Sequence, residues 1–589
     1  MVHTFHIPVL GLGYSIDTPL KVARYGISSV LSIVDDELIE RIRAYHSGKA
    51  GQKFVSIPKT EEDYRAKRIK TYLNFLNDSI SSQFEALKQQ KFTRGSDICR
   101  YFELLPETSN LKHGYDLMVD YPEGESKNAF QNRLRCAMKL GAIDVNIMAK
   151  VDKMNYIDNE YTGEVNTDAL AALRGFAESD LTSSLILSAG MNPKLYSYME
   201  NFQDFFPDEK GFIKKKIVLK VSDFRSALIQ AKFLAKKGLW VSEFRIESGL
   251  NCGGHAFATE GYLLGPILEE FKVKKAAMRD ELFDMFDAAL QQRNISVSQI
   301  PRQRVSVQGG IGTADENNFL LKYYGVDGTG WGSPFLLVPE ATNVDADTLA
   351  KLADAQDDDF YLSAVSPLGI QFNNFRNSSI EKQRVERIEN GRPGSPCTKK
   401  YLCNNTEFTD KAICTASREY QYLKIESLKS TPISDEDFLT QFKSVTEKIC
   451  LCEGLCSSVY LKYNIGKPKA NKAIAICPGP NLAYFSDVYS LDEMVGHIYG
   501  KQDLLEGVER PHFFIKELNL YIDYLQKELQ QQLHSFSEKK RKQLVNFKLQ
   551  LIEGINYYGD LFNNVAGQAS EQLKELKIAK NKLDKLIVN

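Results

Sequence analysis

Several things are scarce in this 589-residue chain. Tryptophan occurs twice and histidine eight times, so few imidazoles are present to act as acids, bases or metal ligands. No sign of charge dominates: 74 Lys and Arg stand against 76 Asp and Glu, a net −2. That removes the electrostatic case for nucleic acid. Absent too is any apolar run near the ~20 residues that cross a bilayer. The opening residues, Met1-Val2-His3-Thr4-Phe5-His6, lack the basic and apolar regions of a signal peptide. A cytoplasmic protein without nucleic-acid or membrane partners is expected. Hydrophobic residues at 43% and charged ones at 25% are ordinary for a globular protein, and the length calls for two or more folded units.

Cysteine is thin over most of the chain, with Cys99, Cys136 and Cys252 in the first two thirds, and then crowded. Cys397, Cys403, Cys414, Cys450, Cys452, Cys456 and Cys477 fall in one later stretch. In a reducing compartment such crowding favours a metal or redox site over disulfides. The spacing matches neither paired C-x₂-C zinc ligands nor the ferredoxin run. Thiolates this close can share a soft metal; a metal ion or iron–sulfur cluster would sit on Cys452, Cys456 and Cys477, with Cys403, Cys414 or Cys450 as fourth ligand. The alternative is a set of small buried hydrophobes.

What is present is an alternation of strand-like and helix-like segments. Strands are expected over 5–10, 27–34, 143–151, 183–188, 217–221, 240–247, 304–308 and 326–331, from short apolar, β-branched runs that end in glycine or polar turns. Helical periodicity lies between them. Residues 35–115 read as a helical insert, with Ile69, Leu73, Leu76, Ile80, Phe84 and Leu87 forming one stripe. Eight strands alternating with helices predict an α/β fold, a (β/α)₈ TIM barrel, over residues 1–350. Gly11-Leu12-Gly13 after the first strand does not make a dinucleotide fingerprint, since Ile16 stands where the third glycine is needed.

Barrels of this class place their chemistry at the C-terminal ends of the strands, and a phosphate sits there between the last two loops. Gly309-Gly310 follows the seventh strand and Gly332-Ser333 the eighth, while Cys252-Gly253-Gly254-His255 follows the sixth. Together these loops point to a phosphate-bearing cofactor. On strand register Tyr14, Lys150 and Lys220 also face the mouth, where a lysine could hold a phosphate or an acyl carboxylate.

Val145-Asn146-Ile147-Met148, Ser188-Ala189-Gly190-Met191-Asn192-Pro193, Cys252-Gly253-Gly254-His255, Gln308-Gly309-Gly310-Ile311 and Trp331-Gly332-Ser333 follow one another in the order of a known set. The chain resembles the flavin-dependent nitronate monooxygenase (2-nitropropane dioxygenase) family and its relative, the FMN-dependent enoyl-ACP reductase. The resemblance implies FMN, with its phosphate on Gly309, Gly310, Gly332 and Ser333. Gly11, Asn146 and Gly190 would border the rest of the flavin, and Gly254 and His255 would face the substrate. His255 would be the catalytic acid–base group, in an enzyme working on a small or acyl-chain substrate with NAD(P)H, oxygen or a cluster as electron partner. The chain departs from the pattern at Asn251-Cys252, where a Glu-Ala pair is usual, and at Pro334, where an arginine is usual.

Beyond the barrel, residues 351–395 read as a linker and 396–510 as a Cys-rich domain. Residues 511–589 read as a helical hairpin whose leucine stripe suits packing on the body or a homo-oligomer. Two functions stand side by side: an FMN-dependent oxidoreductase, and a non-catalytic flavin-binding scaffold in which the helices build an assembly.

Overall fold

The computed structural model describes residues 2–148, 151–157, 160–188, 190–252, 260–531, 537–564 and 569–587. Eight parallel strands close into a barrel: β1 (Phe5–Ile7), β2 (Ser28–Ser32), β3 (Ile143–Ile147), β4 (Ser183–Leu187), β5 (Lys215–Val221), β6 (Val241–Glu247), β7 (Arg304–Gln308) and β8 (Gly328–Gly330). Each strand pairs with its neighbour in sequence, and β1 pairs with β8 through Phe5↔Thr329 to close the ring. The expected (β/α)₈ architecture is the one observed, and all eight strands fall where the pattern placed them.

The inside of the barrel departs from the branched apolar layers usual for this fold. Successive strand residues point to opposite faces, so Glu243, Arg245 and Glu247 share one face of β6. Arg245 donates to Glu243 at 2.8 Å, Ser306 donates to it at 2.6 Å, and Arg304 reaches it from β7 at 3.1 Å. Burial works to raise the Glu243 carboxyl, but Arg245 and Arg304 outweigh it and hold the group at about 2. Val9, Val30, Ile186 and Val218 form a small apolar cluster of their own. A polar interior is tolerable here because each charge meets an opposite charge or a hydroxyl.

Five helices fill the stretch between β2 and β3. The first, Asp36–Lys49, starts where Asp35 accepts the Leu38 amide, an N-cap. The longest, Tyr64–Lys88, buries the stripe read from sequence. It packs on the barrel helix Asp168–Ala177, where Gly175 is required: a side chain there would stand 2.6 Å from the Ala66 carbonyl. Arg65 and Arg68 both pair with Asp36 in the buried seam.

The C-terminal part contains three helices, Phe513–Gln531, Glu538–Asn564 and Ala569–Asp584, where the sequence pattern suggested a hairpin of two. Residues 532–536 lie outside the description. Leu518, Ile522, Leu525, Leu544 and Leu551 are all buried, so the apolar stripe is covered within the chain. It meets the barrel at Gly261 and Gly265, whose missing side chains leave room for Phe547 and Tyr558. Among the described residues no helix is long and apolar enough to cross a membrane.

Leu551 has no exposed surface, and Leu551→Ala removes about 2–5 kcal/mol of stability if the helices fold as one body with the barrel. Urea unfolding followed by tryptophan fluorescence tests this, since both tryptophans, Trp240 and Trp331, are buried in the barrel. A barrel transition that does not move would show that the helices unfold independently.

Candidate functional site

At the C-terminal ends of the strands a chamber of about 140 Å³ opens. Its polar wall comes from inward positions of β3 to β6: Asn146, Ser188, Lys220 and Glu247. Lys220 Nζ lies 2.9 Å from Glu247 Oε1. The same oxygen accepts from Asn251 Nδ2 and Gln308 Nε2, each at 2.6 Å. Gln308 in turn faces His6 at 3.3 Å. Burial, followed by the nearby Arg245, pushes His6 down to about 3 and keeps it neutral. Two buried polar atoms on the wall, Asn146 Oδ1 and Ser188 Oγ, have no hydrogen-bond partner among the described residues. An unsatisfied buried acceptor or hydroxyl is costly unless something else completes it.

The remaining wall is mainly apolar: Val9, Leu12, Val34, Ile147 and Met148 come from the barrel itself, and the rest comes from far along the chain. Leu368, Phe372, Leu402, Leu451 and Leu455 close the mouth beside Tyr401. Phe372 belongs to an antiparallel ribbon, Phe360–Ser363 with Phe372–Phe375, and the adjoining Asn373 donates to the carbonyls of Gly249 and Asn251 at 3.2 and 3.0 Å. Tyr401 and Lys399 reach Asp35, the helix cap after β2. The stretches that look in sequence like linker and separate domain thus supply the lid.

Of the residues read as flavin contacts, Gly11 and Asn146 line the chamber. Gly190 is exposed, with φ 113°. Gly254 and His255 lie outside the described residues, as does Lys150. Lys220 is where strand register placed it. Tyr14 is buried, and its hydroxyl donates to the Ala475 carbonyl at 2.7 Å.

Gly309, Gly310, Gly332 and Ser333 do come together, but the space between them is full. The Gly479 amide donates to Ser333 Oγ at 2.8 Å, and the Cys252 thiol donates to the Cys477 carbonyl at 3.0 Å. Asn481 Nδ2 reaches the Ile311 carbonyl at 3.2 Å, and Arg510 reaches that of Gly310 at 2.8 Å. A side chain on Gly309 would stand 3.0 Å from the Asn251 backbone, and one on Gly332 would stand 3.2 Å from Cys252. A phosphate does not fit this seat as it is packed. The chamber's 140 Å³ is also below the ~300–1,000 Å³ usual for cofactor-sized ligands, with residues 253–259 of the loop after β6 outside the described residues.

The expected metal ligands are not gathered. Cys456 donates to Asp35 at 3.3 Å, Cys477 adjoins Cys252, Cys452 adjoins Cys450 and Cys403 adjoins Cys397. Cys452 and Cys456 stand one turn apart on the helix Leu451–Tyr463, yet Cys452 meets the chamber while Cys456 meets the β2 loop. Among the described residues no group of three or more His, Cys, Asp or Glu is placed to hold a metal ion.

One residue that sequence reading missed ties the β6 loop down. Glu517, buried on the helix Phe513–Gln531, accepts from Ser248 Oγ at 2.7 Å, the Gly249 amide at 3.3 Å and the Leu264 amide at 2.8 Å. It therefore grips both ends of the 250–263 segment. No local pattern marks it, since a lone Glu on an amphipathic helix reads as surface.

No protein-family profile matches this sequence, and no curated protein matches it. Among solved structures, one similar chain is the enoyl reductase domain of MlnA from the macrolactin biosynthesis cluster of Bacillus amyloliquefaciens. The match covers 90% of this chain and 96% of that one, with 11% identity and a TM-score of 0.35. The fold assignment rests on the barrel's own strand pairing.

Burial pushes Glu517 up from 4.5 to about 7, against the donors that pull it down. The native protein then keeps a proton that the unfolded chain releases above about pH 4.5. Stability falls as pH rises through that window and levels off above about 7. Glu517→Gln removes this fall, a difference on the order of 3 kcal/mol between the two ends. Denaturant unfolding of both proteins at pH 5 and pH 7.5 reads it, and parallel pH profiles would refute the assignment.

Proposed function

We propose that this protein binds a small, mainly apolar molecule carrying one carboxylate or carbonyl at the mouth of its barrel. The observation that carries this reading is the chamber wall: one lysine, held by Glu247, beside two unpartnered polar atoms, with leucine and phenylalanine opposite. Lys220 meets the anionic or carbonyl oxygen. The Ser188 hydroxyl can donate to the same group, and Asn146 Oδ1 accepts from a hydroxyl or amine on the guest. Such convergence of a few polar groups in an apolar concavity is what fixes a ligand's orientation. An apolar cavity of ~150 Å³ holds a guest of benzene size, so benzoate or a short-chain acid is the scale to expect.

A second reading is an FMN-dependent oxidoreductase of the enoyl-reductase or nitronate-monooxygenase kind, with His255 as acid–base group. It is favoured by the place of Gly11 and Asn146 on the chamber wall. Flavin absorption in the protein as purified, bleached by NAD(P)H, would support it.

Titration calorimetry with benzoate and hexanoate tests the first reading. Lys220→Met leaves Glu247 its bonds from Asn251 and Gln308 and weakens carboxylate binding at least tenfold, the loss of one charge-assisted contact. Equal affinity in both proteins, or no binding to either, would sink it.

A further inference from the structure

The loops after β6, β7 and β8 are built like a seat for a phosphate, with positive-φ glycines at Gly309 (106°) and Gly310 (82°) and a hydroxyl at Ser333. We infer that the chain's own turn, residues 477–481, occupies that seat, so that the chamber admits unphosphorylated molecules and rejects those with a phosphate tail. This rests on the chamber reading above and adds the class of ligand to it.

The turn is a close substitute for what it displaces. A bound phosphate would accept hydrogen bonds from the Ser333 hydroxyl and the loop amides. Here the backbone of Gly479 donates to Ser333 Oγ instead, and the thiol of Cys252 is engaged by the Cys477 carbonyl. The packing allows nothing larger than glycine. A side chain at position 479 would stand 2.2 Å from the Leu250 carbonyl and 2.8 Å from Ser333 Oγ. Asn481 and Arg510 cap the carbonyls of Ile311 and Gly310 on the outer side, and Arg510 is itself held by Glu316 at 2.7 Å. Arg510, a cation at the edge of the seat, is therefore already paired. Because Cys477 also lines the chamber, the turn is the partition between chamber and seat. A ligand long enough to span both would have to expel it.

The full-length protein is titrated by calorimetry with benzoate, phenyl phosphate and FMN. Benzoate should bind, and phenyl phosphate, with the same ring, should bind at least tenfold more weakly. FMN carried through purification, or phenyl phosphate bound as tightly as benzoate, would overturn the inference alone. Failure of all three ligands would overturn the chamber reading and the inference with it. A second measurement concerns the turn itself. Gly479→Ala should expel it, raising the alkylation rate of Cys252 and Cys477 at least tenfold by mass spectrometry. Ser333→Ala, which deletes one acceptor without adding bulk, should raise it severalfold. Rates unchanged in both variants would show that the turn is not wedged in the seat.

Discussion

One carboxylate oxygen near the top of the barrel organises the site. Glu247 Oε1 receives Lys220 from β5, Gln308 from β7 and Asn251 from the loop beyond its own strand. A buried carboxylate without such donors would be prohibitively costly, and removal of one partner leaves a charge uncompensated. The convergence therefore fixes the lysine, the β7 end and the β6 loop relative to one another. Four residues earlier on the same strand face, Glu243 repeats the arrangement with Arg245, Arg304 and Ser306. The barrel interior is thus locked by charge pairing where other barrels use interdigitated aliphatic layers.

The C-terminal third of the chain completes what the barrel begins. It supplies part of the apolar chamber wall, the turn against Ser333, and Glu517 beneath the β6 loop. Seven cysteines lie in the 397–477 stretch. Most of them pack as small buried groups: Cys397, Cys414, Cys450, Cys452, Cys456 and Cys477 are all buried and unbridged. Several of them face one another: Cys397 lies within hydrogen-bond reach of Cys403 and Cys414, and Cys450 of Cys452.

The eight strands were legible because each is short and closed by a glycine or polar turn, and most are apolar. Lys220 was legible as well, since period-two register on β5 points it inward from the strand's upper end. The polar partners of the chamber were harder to see. Glu243, Arg245 and Glu247 carry a strict alternation, but an alternating charged strand reads equally well as one with a solvated face. The glycine loops after β7 and β8 were read correctly as neighbours, and what fills the space between them lies some 150 residues further along. The crowding of the later cysteines suggested that Cys452 and Cys456 share a metal, whereas packing turns the two thiols toward different surroundings.

The sequence by itself determined the barrel, its strand order, the covering helices and the lysine at the mouth, because those follow from local periodicity and from the few ways a parallel sheet can close. Only the tertiary structure decided how large the chamber is, which thiols meet and whether the phosphate seat is open. Those depend on contacts between residues hundreds of positions apart, where a single missing side chain, as at Gly479, determines whether a turn fits, and no local pattern encodes that fit.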